Sequence, residues 1–425
     1  MGMDRYRTAM RISRIVTAVI EANFDWTYVR VETDEGVSGL GECFFAPGLT
    51  AMIREFESIL VGEDPRNIDR LYQKMRWASS AGSIAGFTYH AISGIESALW
   101  DLKGQALGVP IWQLMGGKFR DRVRIYADCH AGHTLESLGP LLQRRSPEWL
   151  TAISGDAAVP QAGYYEALPD DHESFTPKAY ADKAVAVRDA GYTALKFDLD
   201  VPVAGTAAPD PYARTLTPAQ LDHLAALVSE TCDAVGPHVE VAFDCHWRFT
   251  LKDALKLAKM IEGVPVAWLE DPTPPENPTT LARLTAATST PIGCGENWYT
   301  REGFREALAT GAIDVALPDF QKCGGLNEGK RIADIVDMHD LPVSPHNISS
   351  PIGTMGSVHV AAAIPNFHTL EFHAQDVPFF DALLVGGGPF IVDGHVTVPD
   401  GPGLGVDLDL EVAATYAKSG ERFFD

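Results

Sequence analysis

The chain has 425 residues, 46% of them hydrophobic and 21% charged, which is long for one ordinary core but suits a barrel of about 250 residues plus a second domain. Lysine and arginine total 34 against 57 aspartates and glutamates, a formal net charge of −23, so the chain is a poor partner for a nucleic-acid backbone. No stretch stays apolar for eighteen residues, which excludes a membrane-spanning helix, whereas a small anionic substrate stays compatible if a bound cation reverses the local field.

Six cysteines are present, none of them in a C-x-x-C pair, and they read as free thiols of a reducing, cytoplasmic compartment. The first 26 residues contain no apolar run ending in a cleavage site. After them, IVTAVIEA (15–22) and WTYVRVETDEGVSGLGE (26–42) predict a β-meander turning at Asp34-Glu35-Gly36. Helices are expected from about Leu49 to Val61 and over HAISGIESALWDLKGQALG (90–108), where Gly108 and Pro110 end the second.

From Val123 short apolar strands alternate with longer helical stretches. The strand candidates are VRIYADCH, TALKFDLD, VEVAFDCH, PVAWLEDP, TPIGCGEN, IDVALPDF, LPVSPHN and FHTLEFH. Eight parallel strands joined by helices imply an α/β fold, a (β/α) barrel of the TIM type. The spacings Asp244–Glu270, Glu270–Glu296, Glu296–Asp319, Asp319–His346 and His346–Glu371 are 26, 26, 23, 27 and 25 residues. That period is one β/α unit, so each unit delivers an ionisable residue to the C-terminal face, where barrel active sites lie. Residues 133–177 are too long for a plain βα loop and are expected to form an active-site lid or a surface insertion. The tail VDGHVTVPDGPGLGVDLD (392–409) has hairpin character. The division expected is 1–122 as an N-terminal α+β domain, 123–375 as the barrel, and 376–425 as a segment packing back on the first domain.

Asp244, Glu270 and Glu296 end three successive strands. Three converging carboxylates without cysteine favour a hard cation with oxygen ligands, Mg²⁺ above Mn²⁺ or Ca²⁺. His346 follows Asp319 by one unit, so a carboxylate can hold one imidazole nitrogen and leave the other as a general base. His246 stands two residues after Asp244 and is expected to share its face by strand alternation, as a proton donor to a leaving group. Lys196 and Asp198 have the same spacing. Lys196 suits a developing negative charge or a substrate carboxylate, and Asp198 a hydroxyl. Glu371 ends the last strand and can face an enolate oxygen. His130 and Arg248, beside strand ends, complete the substrate-binding candidates.

Taken together, AISGIESALWDLKGQALGVPIWQLMGG (91–117), LEDP at Glu270, GEN at Glu296, LPDFQKCGG from Leu317, SPHN around His346 and LEFH at Glu371 resemble the enolase superfamily in its mandelate racemase-like subgroup. The resemblance implies a capping domain whose loops, around residues 23–26 and 44–47, close over a modified barrel. It also implies Mg²⁺ on Asp244, Glu270 and Glu296, a catalytic His346–Asp319 dyad, Glu371 opposite the enolate oxygen, and a homo-oligomer. Racemases of the subgroup carry Lys-x-Lys on the second strand, and Asp198 replaces the second lysine here. Asp-x-His on the third strand is similar to galactonate and mannonate dehydratases, so dehydration of an aldonate or aldarate to a 2-keto-3-deoxy acid is the expected activity. An epimerase, a Schiff-base aldolase using Lys196 and a non-catalytic metal-binding barrel are the rival readings.

Overall fold

The computed structural model describes residues 10–130, 136–154, 164, 173–203 and 213–425. Of the stretch expected as a lid, 133–177, residues 133–135, 155–163 and 165–172 lie outside the described residues. The first domain is an antiparallel meander, β1 (Ile12–Glu21), β2 (Asp25–Thr33) and β3 (Ser38–Cys43), in the order β1-β2-β3. Its turn falls at Gly36, whose φ of 73° is the left-handed conformation glycine adopts without strain. Helix α1 (Leu49–Leu60) buries Leu49, Ile53, Phe56 and Leu60, the stripe expected from a 3.6-residue period. The sequence reading passed over α2 (Ile68–Ser79), although Ile68, Leu71, Tyr72 and Met75 form a stripe of the same kind.

Helix α3 (Phe87–Leu107) is buried on nearly every side, because it lies between the meander and the barrel. Its close approach to β3 requires glycine. A Cβ on Gly39 would lie 2.1 Å from the Ala98 carbonyl oxygen, and one on Gly41 would lie 2.3 Å from that of Gly94.

The barrel staves begin with β4 (Arg122–Asp128). A two-residue ladder of β5 (Ser137–Leu138) and β6 (Arg144–Arg145) follows. Next come β7 (Ala194–Asp198), β8 (Glu240–Asp244), β9 (Val266–Glu270), β10 (Ile292–Cys294), β11 (Val315–Ala316) and β12 (Leu370–Phe372). β4, β7, β8, β9, β10 and β11 pair in parallel in that order. Val343 bridges Ala316 on one side and Phe367 on the other, and β12 pairs with β4, which closes the ring. The seventh stave, expected over LPVSPHN, is thus reduced to the pairing of one residue.

Seven helices connect the staves: α4 (Pro177–Asp189), α5 (Pro218–Val235), α6 (Leu251–Met260), α7 (Pro278–Thr285), α8 (Thr300–Thr310), α9 (Leu326–Asp337) and α10 (Pro351–Ala362). The side chains of Thr176, Thr217, Thr250, Asn277 and Ser350 accept a backbone N–H at the starts of α4, α5, α6, α7 and α10. Proline follows four of these caps in the first turn, where its missing N–H costs nothing. Inside the barrel, Tyr126, Ala194, Ala242, Trp268, Val315 and Leu317 pack into one apolar layer. Strand alternation then raises Asp128, Lys196, Asp244, Glu270 and Asp319, each two residues further on, into a polar layer above it. The chain is an α/β barrel with an N-terminal α+β domain, as the sequence predicts.

The tail departs from a simple hairpin. β13 (His395–Thr397) pairs antiparallel with the first half of β4, under the barrel. Further on, Ala417 and Phe423 bridge Ile20 and Ala18 of β1, and the Lys418 ammonium meets Asp25.

Two buried carboxylates tie the first domain to the starts of barrel helices. Glu42 accepts from the N–H groups of Ser350 and Gly353 at α10. Glu96 accepts from Leu326 and Asn327 N–H at α9, and from Trp100 Nε1 at 2.6 Å. Helix N-termini suit anions because their first N–H groups lack partners within the helix. Burial nonetheless pushes the Glu96 carboxyl up to about 8, although those three donors pull it down.

Glu96→Ala should lower stability by about 2–4 kcal/mol in urea unfolding, because three buried donors lose their acceptor. Glu96→Gln should lose less. A folded-state pKa raised from 4.5 to about 8 makes this group's contribution fullest below pH 4.5 and lets it decline up to pH 8. The glutamine variant should therefore show a flatter stability curve between those pH values.

Candidate active site at the barrel mouth

A cavity of about 420 Å³ opens between the barrel mouth and the first domain. Of the residues singled out from the sequence, His130, Lys196, Asp198, Asp244, His246, Glu296, His346 and Glu371 line it. Glu270 lies fully buried below, and Asp319 lies behind His346. Arg248 does not line the cavity. The chain leaves β8 through positive-φ residues His246 (40°) and Trp247 (50°), and this turn presents Trp247 to the cavity in place of Arg248.

The register of the staves explains the convergence. Asp198 pairs with Asp244, and Asp244 with Glu270, on neighbouring strands. One carboxylate oxygen from each of Asp244, Glu270 and Glu296 lies within 4.8 Å of the others. The Lys196 ammonium sits 2.7 Å from Glu371, 3.1 Å from Glu270, 3.3 Å from Asp244 and 3.8 Å from Asp128. Burial opposes its charge, but these carboxylates outweigh that and hold it well above its ordinary pKa.

One ammonium among four carboxylates leaves the layer anionic. Burial holds Glu270 well above the usual carboxylate range despite Lys196. Burial together with the charges of Glu296 and Asp244 pushes Asp271 up to about 8. An oxygen-only donor set of three converging buried carboxylates fits a hard dication, which Asp244, Glu270 and Glu296 would hold. Trp268 Nε1 donates to Glu270 Oε2 at 2.8 Å and so fixes which oxygen faces the cluster.

Two histidine–carboxylate pairs flank this cluster. His346 Nδ1 is 2.7 Å from Asp319 Oδ2, and its Nε2 is 3.2 Å from Glu296 Oε2. Burial lowers this imidazole, but Glu296, Glu371 and Asp319 outweigh it and hold the group at about 10. A dication on Glu296 acts against that rise. His246 Nδ1 is 2.9 Å from Asp200 Oδ1, and Asp244, Asp200 and Asp198 keep it charged against burial.

His246 stands beyond the end of β8, so strand alternation does not aim it. Its N–H donates to Asp244 Oδ1 at 2.8 Å in a tight left-handed turn. Asp128-Cys129-His130 repeats the same tripeptide and the same turn on the first stave. There His130 has φ 46° and donates to Asp128 Oδ1 at 2.9 Å.

The sequence reading missed Asp128, Asp200, Asn297, Lys322 and His373. Lys322 Nζ donates to Asn297 Oδ1 at 2.7 Å, and Asn297 Nδ2 donates to Glu296 Oε1 at 3.0 Å. His373 Nε2 lies 3.7 Å from Asp128 Oδ2. The repeated Asp-Cys-His could have drawn attention to Asp128. Asp200, two residues past Asp198, continues an alternation that was already visible.

Residues 179–412 match the family described as enolase C-terminal domain-like, and residues 7–116 match the N-terminal domain of mandelate racemase and muconate lactonizing enzyme. The chain belongs to this mandelate racemase-like group of the enolase superfamily. It is 40% identical over 416 residues to a D-xylonate dehydratase of Haloferax volcanii, spanning 97% of this chain and 90% of that protein. It is 29% identical to a D-galactonate dehydratase of Ralstonia pickettii, over 96% and 95% of the two chains. Among solved structures, a mandelate racemase/muconate lactonizing enzyme-like protein from Rubrobacter xylanophilus superposes with a TM-score of 0.86 at 39% identity, covering 98% of this chain and all of that one.

Lys196→Met should destabilise the metal-free protein by about 3–5 kcal/mol, because it strips the cation from buried carboxylates. Thermal melts with and without a divalent cation check this. The cation should raise the melting temperature more in the variant than in the wild type, and an equal rise would show that Lys196 does not balance the cluster.

Proposed function

We propose that the protein is a Mg²⁺-dependent hydro-lyase that converts an aldonate or aldarate to a 2-keto-3-deoxy acid. One observation carries this reading: His346–Asp319 and His246–Asp200 open onto the same cavity from the seventh and third staves, on opposite sides of an eight-stave ring. A syn or anti elimination needs a base for the C2 proton and an acid for the departing 3-hydroxyl, and two separately held imidazoles supply both. The names of the dehydratase relatives support the same reading.

In this reading Asp319 holds His346 Nδ1, which leaves Nε2 to take the C2 proton. His246, kept protonated by its carboxylates, gives its proton to the 3-hydroxyl as the C3–O bond breaks, and water leaves. The enol that remains tautomerises to the 2-keto acid. When bound at Asp244, Glu270 and Glu296, Mg²⁺ supplies Lewis-acid stabilisation of the charge that develops on the substrate carboxylate. Lys196 and Glu371 face that developing charge from the polar layer, and Asp198 and His130 bind substrate hydroxyls. The position two residues after Lys196 holds Asp198 and not a second lysine, which weighs against two-base racemisation.

Chelation followed by dialysis should abolish turnover, and Mg²⁺ should restore it. Glu270→Gln should weaken metal binding by about 10-fold or more in calorimetric titration and remove activity. Full activity in the chelated, dialysed protein would reject the metal's role.

His346→Asn should lose both dehydration and exchange of the C2 proton with solvent deuterium, read by NMR, by roughly 10²–10⁴-fold. His246→Asn should lose dehydration and keep the exchange. Joint loss of both reactions in a folded His246→Asn protein would show that the two histidines do not divide the work in this way.

A further inference from the structure

Each carboxylate of the Asp244, Glu270 and Glu296 cluster has one oxygen already taken by a protein N–H. Glu270 Oε2 accepts from Trp268 Nε1 at 2.8 Å, Asp244 Oδ1 from the His246 backbone N–H at 2.8 Å, and Glu296 Oε1 from Asn297 Nδ2 at 3.0 Å. The other oxygen of each meets the cations at the centre of the mouth. Glu270 Oε1 and Asp244 Oδ2 lie 3.1 Å and 3.3 Å from the Lys196 ammonium, and Glu296 Oε2 lies 3.2 Å from His346 Nε2.

The three donors are themselves held. Trp268 is buried in the apolar layer beneath, and an indole N–H can only donate. The His246 N–H is aimed by the left-handed turn after β8. Asn297 has an amide that could present either end, but Lys322 Nζ donates to its Oδ1 at 2.7 Å. An ammonium has donors and no acceptor, so Oδ1 must face Lys322 and Nδ2 must face Glu296. Phe44, on the roof of the cavity, lies over that ammonium at 4.3 Å.

A carboxylate that grips an ion with both oxygens must turn the held oxygen away from its donor. For Glu270 this strands a buried indole N–H, which is costly. Mg²⁺ is content with one oxygen from each of a few carboxylates and keeps several waters, whereas Ca²⁺ gathers about six to eight oxygens and often takes both from one carboxylate. We propose that Trp268, Asn297 and Lys322 are positioning residues that restrict Asp244, Glu270 and Glu296 to one ligand oxygen each and so make the site selective for Mg²⁺ over Ca²⁺. The selectivity rests on the metal reading above and adds the residues that set it.

The test is the ratio of the Ca²⁺ to the Mg²⁺ dissociation constant, from calorimetric titration of the metal-free protein with each ion alone. The two ions carry the same charge, so a general loosening of the fold or a lost cation moves both constants and leaves their ratio. The wild type should favour Mg²⁺. Trp268→Phe and Lys322→Met, with circular dichroism unchanged, should each shift the ratio towards Ca²⁺ by about 10-fold, and Lys322→Arg, which still only donates, should hold it near the wild-type value. Lys322 lines the cavity and not the barrel core, so its variants carry the test if Trp268→Phe does not fold.

A wild-type protein that binds Ca²⁺ as tightly as Mg²⁺, a ratio unmoved in the folded variants, or a Lys322→Arg ratio that shifts as far as that of Lys322→Met overturns the proposal while the metal reading stands. Binding of neither ion to the wild-type protein rejects the metal reading, and the proposed selectivity with it.

Discussion

The ammonium of Lys196 meets Asp128, Asp244, Glu270 and Glu371 in a layer from which water is nearly excluded, and the geometry of the barrel mouth follows from that crowding. Buried carboxylates at this density repel one another unless cations stand among them. The chain answers with Lys196 in the centre, Lys322 and Asn297 beside Glu296, and imidazoles on two sides. Immediately beneath, Tyr126 and Trp268 seal the barrel, so the ionic layer rests on an apolar one and the field stays unscreened. A site built in this way is costly without a dication and well prepared for one. The same field keeps His246 charged and opposes deprotonation of His346.

The first domain is fixed to the barrel through the backbone as well as through apolar contact. Glu42 and Glu96 each reach the first turn of a barrel helix, and Asp101 accepts from Leu40 and Leu404 N–H. Because α10 begins immediately after the loop bearing His346 and Asn347, the Glu42–Ser350 bond couples the position of the cavity roof to that of the histidine below it. Phe44, in the same strand-to-loop passage as Glu42, packs 5.8 Å from the His346 ring. The roof of the cavity and the position of His346 are thereby set by one short stretch of chain.

Much of this was legible in the sequence because barrel staves are apolar and their ends are not. Charged residues at a 25-residue period stand out against such a background, and family motifs covered nearly every strand end. What escaped the reading depended on three-dimensional closure. Lys322 and Asn297 act through each other, and His373 acts through Asp128, across separations that no local pattern connects. His246 faces the cavity through a left-handed turn and not through the strand pleat, and the same turn removes Arg248 from the cavity. Helix α2 hid because its polar residues dilute a stripe that is nonetheless regular, and the seventh stave shrank to Val343 because proline and asparagine surround it.

Residues 417–424 form the outer neighbour of β1, with Phe424 N–H donating to Thr17 and Arg30 lying over the Phe424 ring at 3.9 Å. The edge strand of the first domain is therefore completed by chain that emerges some four hundred residues later. At about 5–20 residues per second of synthesis, that edge waits roughly 20–80 s for its partner. Throughout this interval its unpaired N–H and C=O groups are a template for strands of other molecules. Folding in the cell is thus exposed to association at β1, and the hazard ends only when the tail docks.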